Sequence, residues 1–447
     1  MFAGVKEAVI TPEYSVLLSG FPNPDRFSTG VHDDLLAHCF YFSDGTTEVA
    51  VISLDLLCLP KWHIAKMRRE ISAMSGIDNC FISTTHTHSA PEARTASGGS
   101  ISIGEDGTFD ASLETVPMYP EYFENLYKTV AEAVKAAKDN RFNAKIGIAK
   151  GYCGPEQNVG GNRHTEGGLA DTGVYVTSVK DEKDNIRGVI VRYSLHPTFL
   201  GGENLEITCD YPGYIYECVR NKYPDAAVAF QIGTAGDQSS RFFRNGCTFE
   251  EAKRVGYALG NEALSVIEKT KYDSNPKISV YSCEVEPIKR DIPEYETALK
   301  EYNDSVDMLE KSKTDGSSKG VVRSNECAVV GAKRMLALAR VGRDNVYSLN
   351  AHHPFEIFLL TIGNIAVIGI PTETFVKYGL DIQAKSPFAN TVVVTCANGY
   401  GRGYICTPES FAEGGYEALG SLYTGENGDN IVNACLKLLN RAKENNK

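Results

Sequence analysis

Two histidines one residue apart, His86 and His88, sit in the stretch Thr84-Thr85-His86-Thr87-His88-Ser89-Ala90-Pro91. The apolar run 80–83 before them reads as a buried strand. Side chains alternate faces along a strand, so the pair is expected on one face, about 6–7 Å apart. Neutral imidazole is a preferred ligand of zinc, and catalytic zinc takes three protein ligands and a water. An isolated His-x-His carries little, and alone it reads as two polar loop histidines. Two other segments change the balance, because they too end apolar runs with ligand-type groups: Leu195-His196-Pro197 and Pro371-Thr372-Glu373. His86, His196 and Glu373 make two imidazoles and a carboxylate, a set suited to Zn2+ with one open position. Such an ion activates water and polarises a carbonyl, the chemistry of amide and ester hydrolysis. His88 is placed to relay a proton. Arg163, in the glycine-rich loop 158–164, is placed to bind a substrate oxygen or carboxylate.

The elements that must position these residues alternate in type. Strands are expected at 5–10, 143–150, 226–232, 277–285 and 391–396. Hairpins are expected at 36–43 with 48–54, at 173–179 with 187–195, and within 355–370 around Gly363-Asn364. Helices are expected at 61–75, 120–138, from Asp210-Tyr211-Pro212 onward, and at 248–268, 293–312, 324–341 and 428–443. The mixture predicts an α/β class, mixed β-sheets with flanking helices, without internal repeat. One domain spans 1–447, with 272–345 as a peripheral helical segment that carries no chemistry. The polar stretch 92–118 predicts an active-site rim. Gly233-Thr234-Ala235-Gly236-Asp237 reads as a tight strand-to-helix connection rather than an oxyanion cradle. Asp55, Asp210 and Asp237 read as capping or supporting residues, and His38, His63, His352 and His353 as structural.

Composition bounds the partners. Apolar residues are 42%, charged residues 23%, and the net charge is −12, which disfavours nucleic acid and anionic membrane surfaces. Twelve cysteines without a Cys-x-x-Cys pair fit free thiols in a reducing, cytoplasmic setting. No apolar run reaches transmembrane length, and the start lacks the pattern of a secretory leader.

Taken together, the short motifs resemble the catalytic domain of the neutral/alkaline, non-lysosomal ceramidase family. The matching residues are Gly30-Val31-His32-Asp33, Ser53-Leu54-Asp55-Leu56, Thr85 to Pro91, Asn162-Arg163, Leu195-His196-Pro197-Thr198, Asp210-Tyr211-Pro212-Gly213, Ala235 to Ser239, Pro371-Thr372-Glu373 and Tyr404-Ile405-Cys406-Thr407, in the family's order. The resemblance implies a zinc-dependent amidohydrolase acting on an N-acyl substrate, small or lipid-like, through a metal-activated water. It implies Zn2+ ligation by His86, His196, Glu373 and a tyrosine, Tyr404 or else Tyr400. It implies catalytic roles for His88, Arg163 and Tyr416, a supporting role for Ser239, and substrate contacts for His32 and Tyr400. The family's additional C-terminal β-sandwich domain is not expected here. An esterase, a lactonase or a hydrolase of a small polar substrate would need the same apparatus. A non-catalytic binding protein on this scaffold is a further alternative.

Overall fold

The computed structural model describes residues 1–21, 25–93, 118–342, 346, 354–401 and 403–445. One order of elements recurs three times along it: three strands, a helix, a fourth strand and a closing helix. The first round uses strands Phe2–Val9, Leu36–Ser43, Glu48–Leu54 and Cys80–Thr84, with helices Lys61–Ser75 and Pro120–Asp139. The second uses Lys145–Tyr152, Gly173–Lys180, Ile186–Tyr193 and Ala227–Ile232, with helices Tyr211–Lys222 and Phe249–Lys269. The third uses Ile278–Val285, Phe355–Ile362, Ile365–Gly369 and Asn390–Val394, with helices Val376–Lys385 and Glu426–Asn445. In each of these three sheets the first three strands pair antiparallel, and the fourth joins parallel to the third. The helix between them is the crossover that a parallel neighbour requires. The expected class, mixed sheets with flanking helices, is what forms. The threefold recurrence was not expected, because it lies in the order of elements and not in repeated residues.

Alternation along the strands divides the interior. Cys39, Tyr41, Ala50 and Ile52 face one core, shared with the flanking helices. Phe40, Phe42, Val49, Val51 and Phe81 face another, where they meet Tyr175, Ile190 and Ala229 of the second sheet and Phe358, Leu360 and Val392 of the third. The three sheets therefore pack against each other around a common core. The outer face of the third sheet is covered by helices Val376–Lys385 and Glu426–Asn445. The third round also carries an insertion, the helices Tyr295–Thr314 and Lys319–Val341, between its first two strands.

The ends of the fourth strands are tied to one another. Asn398 N–H donates to Ile82 O and Thr84 N–H to Cys396 O, while Thr395 N–H donates to Ile232 O. Arg192 crosses from the second sheet to the third: its Nε donates to Val393 O at 2.7 Å, and its Nη1 meets Asp171 at 2.5 Å, with both side chains buried. Glycine is required at 233, because a Cβ there would lie 2.2 Å from the Arg192 guanidinium carbon. Removing one member of a buried pair strands the other's charge. Arg192→Met is therefore expected to lose about 3–5 kcal/mol in chemical denaturation. A loss below about 1 kcal/mol would show that the pair does not fasten the sheets.

Candidate active site

His86, His196 and Glu373 come from the three successive rounds, each just past the end of a strand. Strand Cys80–Thr84 stops two residues before His86, which adopts φ 68°, the left-handed region that a non-glycine residue rarely occupies. The strand alternation assumed for His86 and His88 therefore does not apply. Their rings are 5.2 Å apart and nearly perpendicular, at 81°. Two bonds hold His86 in this conformation: its N–H donates to Leu56 O, and its Nδ1 lies 2.9 Å from Leu57 O. His196 is held alike, with Nδ1 2.7 Å from Ala235 O. A carbonyl only accepts, so both rings carry their proton on Nδ1 and turn the Nε2 lone pair inward.

Both inward nitrogens face one atom. Oε2 of Glu373 is 3.3 Å from His86 Nε2 and 3.2 Å from His196 Nε2, and the Tyr400 hydroxyl donates to Oε1 at 2.6 Å. All three side chains are buried. Burial pushes the Glu373 carboxyl up, and the facing His86 and His196 pull it well below its ordinary value; with both Nε2 lone pairs turned inward, that pull needs a proton or a cation between the three groups. Burial and the nearby Arg163 charge bring His196 down to about 4, so its ring is neutral near pH 7.

His88 completes a cluster: ligand atoms of His86, His88 and His196 lie within 4.8 Å of one another, a group that could hold a metal ion. Its ring packs on Gly20, where a Cβ would come 2.2 Å from Nδ1, and edge-on to Phe21 at 5.0 Å. Among the described residues neither ring nitrogen of His88 has a hydrogen-bond partner. This separates it from His86 and His196, whose Nδ1 tethers are the usual mark of a metal-ligating histidine. The donor set of two oriented imidazoles and one ionised carboxylate fits a divalent ion such as zinc.

The remaining expected residues surround this centre, with one exception. Arg163 is buried, donates from Nη2 to Gly236 O at 2.6 Å, and lies over the Tyr404 ring. Strand Glu373–Thr374 pairs with Tyr404–Ile405, setting Glu373 opposite Tyr404. Burial, reinforced by Glu373, keeps the Tyr404 phenol protonated. Tyr416 packs on Tyr404 at 5.7 Å, and Ser239 is brought in by the pairing of Gln238–Ser239 with Gly161–Asn162. All of these, with His88 and Tyr400, line one cavity of about 950 Å3. His32 does not line it. Its Nε2 bonds the Tyr214 hydroxyl at 2.9 Å, and its ring stacks at 3.7 Å on Phe249, which itself lines the cavity.

Supporting expectations can be placed too. Asp210 caps helix Tyr211–Lys222, Asp237 accepts from Val376 N–H, and Asp55 accepts from Leu36 N–H and the Tyr216 hydroxyl. The amides of Gly233, Gly236 and Gln238 are spent on carbonyls, but the expected tight strand-to-helix connection does not form, because strand Gln238–Ser239 intervenes and the helix starts only at Phe249. His38 and His63 are buried and hydrogen-bonded. His352, His353 and most of the expected rim at 92–118 lie outside the described residues.

Two features escaped the sequence reading. Glu417 is buried, pairs with Arg163, and has Oε2 2.9 Å from His164 Nε2. Burial would raise its carboxyl, but Arg163 and His164 hold it down to about 2. The second feature is helix Lys319–Val341, whose Arg323, Cys327, Val330 and Arg334 line the cavity. The segment expected to be peripheral and without chemistry thus walls the site with one helical face. The four-three-four spacing was legible as a stripe, but nothing in the residues said what the stripe would face.

No protein-family model matches the chain. Over 239 residues it is 26% identical to the neutral ceramidases of Drosophila pseudoobscura pseudoobscura and Drosophila melanogaster, which aligns 49% of this chain but only 32% of each relative. The aligned stretch is thus about a third of those relatives' length. Among solved structures, the neutral ceramidase from Pseudomonas aeruginosa superposes with a TM-score of 0.71 over 98% of this chain and 74% of that one, at 17% identity. A ceramidase complexed with C2 superposes equally well, over 75% of its length. At that identity the structural likeness is one of fold.

Glu417→Gln tests the wall of the site. The folded carboxyl titrates below its ordinary value, so its stabilisation is present above about pH 4.5 and is lost as pH falls through about 2. The variant is expected to be about 3–5 kcal/mol less stable at pH 7, with the gap narrowing in melts run from pH 4.5 downward. A gap that stays constant with pH would contradict the pairing with Arg163. By sequence over about half its length and by fold over nearly all of it, the chain resembles the neutral ceramidases.

Proposed function

We propose that this protein is a metal-dependent hydrolase of N-acyl amide bonds, with Zn2+ held by His86, His196 and Glu373. The observation that carries the reading is the meeting of two tethered imidazole nitrogens on one carboxylate oxygen, at 3.3 and 3.2 Å, at the wall of a cavity. The relatives' name supports an amide substrate, and a cavity of about 950 Å3 is large enough for a lipid-like one.

A divalent ion at these residues supplies a Lewis acid and a more acidic water. The chain's own groups do the rest. Tyr400 orients Glu373 by its hydroxyl, and the carbonyls of Leu57 and Ala235 fix the two rings. Burial and the neighbouring His86 and His196 push His88 well below its ordinary value, so it is neutral and able to take a proton. In this reading His88 accepts the proton of the attacking water and returns it to the departing amine nitrogen. Arg163, kept charged by Glu417, and the protonated phenols of Tyr404 and Tyr416 face the negative charge that develops on the carbonyl oxygen. Tyr404 or Tyr400 would supply a further ligand to the ion, and Ser239 supports the wall. The same proposal keeps a cytoplasmic location, supported by twelve cysteines that form no disulfide. Among the described residues no helix is long and apolar enough to cross a membrane.

Metal analysis and turnover test this together. Protein purified without chelators should contain about one zinc per chain and should release fatty acid from N-acyl amides, with activity lost on chelation and restored by zinc. His86→Ala and Glu373→Ala should lose both metal and activity. His88→Ala should keep the metal and lose about 10²–10⁴-fold in kcat. Full activity in Glu373→Ala would sink the ligand assignment. A well-folded wild type that takes up no zinc would favour a binding protein on this scaffold.

A further inference from the structure

The cationic side chains that line the cavity are all arginines, in a chain whose net charge is −12: Arg163, Arg241, Arg244, Arg323 and Arg334. Arg163 is committed to Glu417. Arg241 bonds the carbonyl of Arg163, Ser324 Oγ and Cys327 Sγ, and Arg244 bonds the carbonyl of Thr198; neither forms an ion pair among the described residues. Arg323 meets only Glu326, one helical turn away, with both side chains substantially exposed, an arrangement worth little. Arg334 forms neither a hydrogen bond nor an ion pair with any described residue. On the acidic side, Glu373 faces the imidazoles, which leaves Glu203 and Glu250 on the cavity wall.

Helix packing sets Arg334 beside Tyr416 of the site. Gly331, one turn before it, lets helix Tyr416–Gly420 approach so closely that a Cβ would lie 2.6 Å from the Tyr416 carbonyl. The Arg334 side chain passes beside Gly420, and its charge acts on the Tyr416 phenol. A guanidinium is planar, always charged, and shaped for two-point contact with a carboxylate or phosphate. No ion pair with a described residue silences this group, and a neutral lipid amide offers it only carbonyl and hydroxyl oxygens, not a charge.

We propose that the substrate is an amide bearing an anionic group, a carboxylate or a phosphate, and that Arg334 is the specificity-determining residue that receives it, with Arg323 and Arg241 on the same wall. The proposal rests on the amide-hydrolase reading above and narrows its substrate class.

A matched panel tests it on the zinc-loaded protein. The panel holds N-lauroylethanolamine as the neutral member, N-lauroylglycine and N-lauroylethanolamine phosphate with the anion on the amine half, and an ω-carboxyacyl ethanolamide with the anion on the acyl half. At least one anionic amide should exceed the neutral one in kcat/KM by about tenfold or more. Arg334→Gln should cut that preference by about tenfold, the scale of one charged hydrogen bond, and Arg334→Lys should restore part of it. Equal or better turnover of the neutral amide, or a preference unchanged in Arg334→Gln, overturns the proposal. Failure of the hydrolase reading looks different, because no member is then cleaved. In that case calorimetric binding decides: anionic members should bind wild type about tenfold more tightly than Arg334→Gln, and equal binding overturns the proposal. Arg334 lies half-exposed on a helix, and melting curves of both variants guard against misfolding.

Discussion

The constraint on which the rest of the structure depends is a carboxylate buried between two imidazoles. Glu373 cannot stay ionised out of water without compensation, and an ionised carboxylate is what a cation at this place requires. Two imidazole lone pairs do not supply it; a proton or a cation held between the three groups would, and the geometry prepares that place. Two histidines present Nε2 to the same oxygen because carbonyls of Leu57 and Ala235 hold their other nitrogens, and Tyr400 donates to the second oxygen. Each tether belongs to a different sheet region, so moving any sheet would separate the three groups. His86 accepts a left-handed backbone as part of this arrangement, the kind of local strain that persists where surrounding structure over-determines it.

The fold explains how residues 86, 196 and 373 meet. Three rounds of the same element order build three sheets that share a core, and each contributes the loop after one of its last two strands. Ligand groups at the carboxyl ends of strands are a general outcome of crossover connections. Here the outcome occurs three times and converges, because the strand ends are stitched together by bonds such as Asn398 to Ile82 and Thr395 to Ile232. Arg192 adds a buried charged tie between the second and third sheets. The insertion Tyr295–Val341 then closes one side of the site with an arginine-bearing face.

Much of this was legible from residues alone, and the limits have physical causes. His86, His196 and Glu373 stood out because a polar ligand-type group ending an apolar run is unusual whatever the topology. The hairpins and helices were legible through their periodicity, and the cap at Asp210 through its local chemistry. The relation between His86 and His88 was misjudged because the strand ends at Thr84, and no pattern signals a left-handed histidine. Glu417 was hidden because an acid at the start of a short helix reads as an ordinary dipole partner; only tertiary packing sets it against Arg163. The stripe Arg323, Cys327, Val330, Arg334 was hidden because a helix face acquires meaning from what it covers. His32 sits in a motif that resembles a pocket element, yet its ring lies behind Phe249. The threefold order left no trace in residue identity because sheets tolerate any apolar residue of suitable size at alternating positions.

The central claim is that His86, His196 and Glu373, rather than the three clustered histidines, form the metal centre. An anomalous-difference map, from crystals of protein purified without chelators and recorded across the zinc edge, tests it most directly. The account predicts one peak within bonding distance of His86 Nε2, His196 Nε2 and a Glu373 oxygen, with the His88 ring unligated. A peak bonded to His88 in place of Glu373, or crystals soaked in zinc that show no peak between these residues, would contradict it.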